Sequence, residues 1–147
     1  MPATLLDVNI LLALFSEEHS SHAAAQRWFR ENEKNRWATC PLTQAGFARL
    51  ISNPSYSKSA IPPMEAIALL EENTHTTHHE FWADDLSYAQ AIEPLKSRVT
   101  GHRQITDAYL LGLAMHRRGK LATFDRSIAK LLPEGKRKSD WIVELST

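Results

Sequence analysis

Three aspartates stand where a buried element of the sequence ends or where a helix begins. Asp7 closes an apolar run near the start of the chain, Asp107 lies in the first turn of a predicted apolar helix, and Asp125 follows a short predicted strand. Ionised carboxylates are rarely buried unless they are paired or bind a metal. Because ligands of open α/β sheets bind at the carboxyl ends of the strands, the three acids together predict a shared anionic pocket.

Each acid also has a simpler interpretation. Thr106 is a plausible helix cap, with Asp107 favouring the helix dipole, and Asp125 before Arg126 fits an exposed turn. Asp7 is the hardest to explain in this way, because apolar residues surround it. The prediction of a pocket therefore depends on the three aspartates taken together.

Carboxylates that converge repel one another, at about 1–4 kcal/mol per pair at ~4 Å. Shared protons, basic partners or divalent cations would offset this repulsion. Mg²⁺ and Mn²⁺ take oxygen ligands and support hydrolysis of phosphodiesters by activating water. Asn9, which is expected to cap the first helix, and Thr123 are neutral side chains beside the acids that could orient such a water.

Apolar runs and punctuating residues predict an α/β fold with a mostly parallel sheet of four to five strands and helices on both faces. The predicted strands are 4–9, 37–40, 79–82, 121–124 and 141–145. The predicted helices follow the first strand and cover 22–29, 42–51, 63–72, 86–95, 105–118 and 127–132, with Gly119 ending the sixth.

Length and composition favour a single domain spanning residues 1–147. The chain is 43% hydrophobic, and it has neither an apolar run of ~20 residues nor the pattern of a signal peptide, so no membrane segment is expected. A single cysteine, Cys40, fits a reducing cytoplasm. The net charge is zero, but residues 96–147 hold 11 Lys and Arg against 5 Asp and Glu. This excess suits a polyanion such as RNA, or is ordinary variation along the chain.

The ordered set of motifs resembles the acidic signatures of PIN domains, most closely the VapC-type toxins. The motifs are LLDVNIL around Asp7, TDA around Asp107, and LATFD ending in Asp125. The resemblance implies a PIN-like three-layer α/β/α fold and a Mg²⁺- or Mn²⁺-dependent endoribonuclease that is a homodimer silenced by a small antitoxin protein. It also implies that Asp7, Asp107 and Asp125 are metal-site acids, with Asn9 and Thr123 as supporting residues.

One position departs from this family pattern. Many members carry a glutamate early in the helix after the second strand, where this chain offers Gln44, which can orient water but adds no charge. Arg49 on the same helix is expected either to meet RNA phosphate or to pair with an acid, and Arg103 and Arg126 are further candidates for RNA contact.

Three other functions remain open at this stage. The lack of charge at Gln44 would also suit a catalytically weakened module that binds RNA or protein. A metal-dependent phosphatase or a DNA nuclease would use similar acids. The histidine-rich segment 75–79 has no spacing typical of zinc sites, so solvated histidines are expected there.

Overall fold

The protein is built on one five-stranded sheet in which all strands are parallel. The computed structural model describes residues 2–147. The predicted α/β fold with a parallel sheet is confirmed, at the upper end of the expected number of strands. The strands are β1 (Thr4–Leu6), β2 (Trp37–Thr39), β3 (His79–Phe81), β4 (Lys120–Thr123) and β5 (Ile142–Glu144).

Helices and shorter 3₁₀ turns connect the strands. No helix among residues 2–147 has the length and apolar character needed to cross a bilayer. The α-helices are α1 (Val8–Phe15), α2 (His22–Asn32), α3 (Pro41–Ile51), α4 (Pro63–Thr74), α5 (Tyr88–Ile92), α6 (Ile105–His116) and α7 (Lys138–Trp141). The 3₁₀ turns cover Glu33–Asn35, Glu93–Arg98, His102–Gln104 and Arg126–Leu131.

Alternation along the strands divides the core into two clusters on opposite faces of the sheet. Leu5 and Leu121 join the cluster that includes α6, whereas their neighbours Leu6 and Ala122 join the cluster that includes α1 and α3. Successive side chains of a strand point to opposite faces of the sheet, and here each face packs against its own apolar cluster. This arrangement gives the three layers that the resemblance implied.

The strand order, β3-β2-β1-β4-β5, determines where a ligand can bind. The chain runs outward from β1 to β3 and then returns to place β4 on the other side of β1. The direction of winding therefore changes between β1 and β4. In open α/β sheets the crevice at such a switch point, beyond the carboxyl ends of the strands, is the usual ligand site. Asp7 follows β1, and Asp125 lies two residues beyond the end of β4.

Local chemistry corrects three of the predicted elements. The helix expected over 86–95 is only α5, because Pro94 stands at the start of a 3₁₀ turn and cannot donate a helical hydrogen bond. The helix expected over 127–132 is also a 3₁₀ turn. A short helix, α7, occupies part of the expected polar turn before β5.

The end of α6 differs from the expectation that Gly119 terminates this helix. The left-handed residue is Arg118, with φ of 57°, rather than Gly119. Gly119 is needed for another reason: a Cβ there would lie 2.2 Å from the carbonyl oxygen of Ala3. The glycine thus allows the chain to pass close to the segment that leads into β1.

Candidate active site

Asp7 is a buried acid that ends β1 and begins α1. Its side chain is 7% exposed, and its Oδ1 accepts a hydrogen bond of 2.8 Å from the backbone N–H of Val8. Asp7 is therefore the cap of α1, and the prediction that Asn9 caps this helix was wrong, since Asn9 lies inside the helix. An acid at this position is held rigidly, because the strand and the helix fix its backbone on both sides.

Thr123, at the end of β4, connects the polar residues of the crevice. Its fully buried hydroxyl donates to Asp7 Oδ2 at 2.7 Å. The Thr123 hydroxyl oxygen also accepts hydrogen bonds from Asn9 Nδ2 at 3.3 Å and from the backbone N–H of Asp125 at 3.0 Å. A hydroxyl has one donor and two acceptor positions, so its capacity is fully used. The side chain of Asn9 is fixed at its other end, where Oδ1 accepts from the N–H of Phe124 at 3.4 Å.

Asp125 is held by a turn of its own. Its Oδ1 accepts from the backbone N–H of Ser127 at 2.8 Å and from the Ser127 hydroxyl at 2.6 Å. The expectation of a turn residue and that of a pocket acid are thus compatible. Sequence reasoning missed Ser127, although an aspartate followed two residues later by serine is a known signal for such a turn.

Asp107 approaches the crevice from the first turn of α6. Burial, together with the negative charges of Asp7 and Asp125, raises its pKa from 3.8 to about 6. Burial also raises the pKa of Asp7, although hydrogen bonds from Thr123 and Val8 oppose the change. The three aspartates therefore lie within electrostatic reach of one another. The alternative in which Thr106 caps the helix was wrong, because the cap position is Gln104.

The donor set suits a hard divalent cation bound partly through water. Within residues 2–147 no three Asp, Glu, His or Cys side chains stand close enough to enclose a metal ion by themselves. Mg²⁺ does not require such a cage, since it binds through one or two carboxylates and retains several waters. Burial, and to a smaller extent the neighbouring acids, raise the pKa values of Asp7 and Asp107, and a bound dication would favour the ionised form of both carboxyl groups. The residues present therefore fit the expected kind of cation.

Gln44 lies outside this cluster. Its Nε2 donates to Thr39 Oγ1 at 3.0 Å, and His79 Nε2 lies 2.8 Å from the same oxygen. The structure thus joins Gln44 to the end of β2 and to β3, rather than to the aspartates. His79 is half-buried against Trp37, so the expectation of a solvated histidine was wrong for this residue. Sequence reasoning missed this network because its members are separated along the chain.

The three candidate arginines all lie on the surface. Arg103 is exposed just before α6, Arg126 is exposed directly after Asp125, and Arg49 is exposed near the end of α3. Within the described chain, Arg49 belongs to none of the ion pairs. The alternative in which it pairs with an acid therefore finds no support. Arg126 and Arg103 are the two that neighbour the acidic crevice in sequence.

A parallel sheet with acids at its topological switch point is typical of α/β proteins that bind a ligand beyond the carboxyl ends of their strands. Comparison with known families makes this assignment specific. The family model described as "PIN domain" matches residues 4–131. The chain belongs to the PIN-domain family, and the resemblance seen in its motifs is confirmed.

Several similar proteins within that family are named ribonuclease VapC. The chain is 46% identical to Ribonuclease VapC44 of Mycobacterium tuberculosis over 125 residues, which cover 85% of this chain and 87% of that protein. It is 43% identical to Ribonuclease VapC39 of the same organism, over 85% of this chain and 90% of that protein. Ribonuclease VapC38, also from that organism, is 44% identical over 86% and 88% of the two chains.

Proposed function

We propose that this protein is a metal-dependent endoribonuclease of the VapC type, the toxin of a toxin–antitoxin pair. The single observation on which the proposal rests is the convergence of Asp7, Asp107 and Asp125 at the switch point of a PIN-domain sheet. The names of the relatives, each a ribonuclease VapC, support RNA as the substrate. The chain would act in the cytoplasm, where its buried Cys40 needs no disulfide partner.

In this proposal Asp7, Asp107 and Asp125 hold Mg²⁺ or Mn²⁺ directly or through water. A divalent cation at this place would lower the pKa of the attacking water and stabilise negative charge on the phosphate. Thr123 positions the carboxylate of Asp7 by donating to it, and Asn9 in turn positions Thr123. Arg103 and Arg126, which are exposed and near Asp107 and Asp125 in sequence, would neutralise RNA phosphates.

Gln44 has no catalytic role in this proposal. Three ionised carboxylates carry three negative charges, which one dication reduces to one and a second would convert to an excess of positive charge. Because Gln44 adds no charge and its amide bonds to Thr39, we infer one well-held cation. Gln44→Ala should therefore change the stability of the β2–β3 region more than the dependence of cleavage on metal concentration.

The decisive experiment is cleavage of a labelled single-stranded RNA by Asp7→Asn, with Mg²⁺ or Mn²⁺ supplied. We expect loss of cleavage, with a circular dichroism spectrum like that of the parent. Asp84→Asn, which changes an exposed acid outside the crevice, is the matched control and should cleave normally.

The outcomes separate the candidate functions. Cleavage of RNA by Asp7→Asn at the rate of the parent would rule out the proposed mechanism. RNA binding without turnover by the parent at every Mn²⁺ concentration would favour the binding module that Gln44 allows. Faster cleavage of DNA or of a phosphomonoester than of RNA would favour the other two alternatives.

We also propose that the protein forms a homodimer and that residues 1–147 fold as one domain. Leu42, Tyr88 and Ile105 are partly exposed apolar side chains that line one groove beside the first turn of α6, and a second copy would cover them. The first and last strands belong to the same sheet, which supports a single domain. Light scattering of the parent and of Ile105→Glu tests the dimer. One cooperative unfolding transition tests the single domain.

A specific protein inhibitor is the remaining partner of the proposal. A VapC-type toxin requires a small antitoxin, and we propose that such a protein binds this chain and suppresses cleavage. Expression of this chain with and without the product of a neighbouring short reading frame tests this point. Growth arrest that the neighbouring product does not relieve would count against the pairing.

A further inference from the structure

A second cavity lies at the edge of the sheet opposite the aspartates. Its volume is about 330 Å³, near the lower end of the roughly 300–1,000 Å³ of small-ligand sites. It forms where the strands begin: Thr4 opens β1, Arg36 precedes β2 and Lys120 opens β4, and all three line it. Because these strands hold three or four residues, about 10 Å of sheet separates this cavity from the carboxyl ends of the strands. It is therefore distinct from the acidic crevice.

Two arginines that line this cavity have an unfavourable backbone conformation. Arg36 has φ of 70° and ψ of 136°, and Arg118 has φ of 57°. Within residues 2–147 they are the only residues other than glycine with positive φ. Glycine adopts such conformations at far lower cost. Residues in strained conformations are found preferentially at ligand sites, and both of these arginines line the same cavity.

The charge of the lining favours an anion. Arg118 and Lys120 line the cavity and belong to none of the ion pairs of the described chain. Arg36 is bound to Glu80 at 3.0 Å, so its charge is already partly compensated. Asp140 is the one acid of the lining. Two unpaired cations against one exposed acid leave the lining positive, and two cationic side chains can donate together to one anionic group such as a phosphomonoester.

The lining of the cavity also includes one aromatic ring and two asparagines. Trp28 is half-buried and lines the cavity together with Val143. Asn32 and Asn35 also line the cavity, and the side-chain amide of Asn32 is oriented by donating to the carbonyl of Trp28 at 2.8 Å. Aromatic faces stack nucleobases without strong preference for sequence, and amides bond the polar edges of bases. The composition therefore matches a nucleotide better than a simple anion.

We propose that this cavity binds a nucleotide with a terminal phosphate, the phosphate at Arg118 and Lys120 and the base against Trp28. Two sources share this chemistry, a free mononucleotide and the phosphorylated end of an RNA chain. The proposal does not depend on the nuclease activity, because no residue of the acidic crevice lines the cavity.

Isothermal titration calorimetry on the full chain in the Asp7→Asn background and in EDTA tests the site without cleavage or a metal. The probes are AMP, adenosine, inorganic phosphate and a 5′-phosphorylated RNA 10-mer. We expect AMP to bind with 1:1 stoichiometry, and more tightly than adenosine or phosphate. Arg118→Gly should weaken this binding at least tenfold without lowering the melting temperature, because glycine relieves the left-handed backbone. Lys34→Ala removes an exposed cation outside the lining and should leave AMP binding unchanged.

If Arg118 served only to end α6, Arg118→Gly would not weaken AMP binding while the melting temperature stayed unchanged. Failure of AMP to bind at millimolar concentration, equal affinity for AMP and inorganic phosphate, or undiminished binding by Arg118→Gly would overturn the proposal. Competition between the RNA 10-mer and AMP would assign the site to RNA ends, whereas binding of AMP without such competition would assign it to a free nucleotide.

Discussion

Removal of one negative charge from the crevice should stabilise the metal-free protein, although it should abolish cleavage. Asp107→Asn is the change, because the pKa of this acid is raised to about 6 by burial and by Asp7 and Asp125. Asparagine keeps the size of the side chain but cannot ionise. The prediction separates the stability of the fold from the chemistry that we assign to the site.

The magnitude follows from the difference between the folded and unfolded pKa values. A rise from 3.8 to about 6 corresponds to roughly 3 kcal/mol at neutral pH, since each unit is worth about 1.4 kcal/mol. Asp107 is only partly buried, so solvent screening reduces this figure to about 1–2 kcal/mol. For a chain of this length the corresponding rise in melting temperature is about 3–6 °C.

The size of this stability difference depends on pH between the unfolded and the folded pKa of Asp107. Between pH 3.8 and about 6 the carboxyl group of Asp107 is protonated more often in the folded form than in the unfolded form. The free energy of unfolding of the parent therefore falls as pH rises through this range. Above pH 6 the loss is complete. Asp107→Asn lacks this loss and should therefore exceed the parent at pH 7, whereas the difference should shrink toward pH 4.

Urea denaturation in EDTA at a series of pH values measures this difference. Added Mg²⁺ should then stabilise the parent more than Asp107→Asn, because only the parent retains the full set of acids and binding to the folded state adds stability. A variant that is no more stable than the parent at pH 7, or a difference that does not vary with pH, would refute the electrostatic reasoning.

Three further perturbations test the surroundings of the site. Thr123→Val should lower the free energy of unfolding by about 1–3 kcal/mol, since buried polar partners lose their hydrogen bonds, and should reduce RNA cleavage. Thr123→Ser keeps the hydroxyl and should retain both stability and cleavage, as denaturation and RNA cleavage assays would show. Gly119→Ala should destabilise the fold by about 1–3 kcal/mol through its contact with the backbone of Ala3, whereas Gly101→Ala, in open space, should leave the melting temperature unchanged. Burial lowers the pKa of His79, so the unfolded form takes up the proton first and stability should fall as pH drops below about 6.5; melting curves between pH 7.5 and 5 should show this fall, and His79→Gln should reduce it.

The elements that sequence predicted well are those with local causes. The bounds of α3 and α6 agree closely with expectation, because proline, asparagine and an uninterrupted apolar pattern define them. The sheet followed from the alternation of strands and helices. Errors arose where one residue decides: Pro94 ended the helix expected over 86–95, and the close approach of Ala3 determined the position of Gly119.

The approach of the three aspartates to one another was predictable, but the hydrogen bonds that hold them and the position of Gln44 were not. Because parallel strands end at one edge of a sheet, Asp7 and Asp125 were expected at one crevice. The partner of Gln44 was not predictable, because it depends on Thr39 and on His79, which is 40 residues further along the chain than Thr39. A long polar side chain adopts whichever partner the tertiary structure offers, and a local pattern contains no record of that choice.

The three acids differ in how firmly the protein holds them, and in the proposed metal site this difference would give them different parts in binding a cation. Asp7 has both oxygens engaged by Val8 and Thr123, and Asp125 has one oxygen fixed by Ser127. Within residues 2–147 no hydrogen bond orients the carboxylate of Asp107, whose pKa is raised by burial and by its acidic neighbours. In the proposed site, the two oriented acids would therefore define the position of the cation. The ionised form of Asp107 would be stabilised most by the bound cation, because no hydrogen bond stabilises it beforehand.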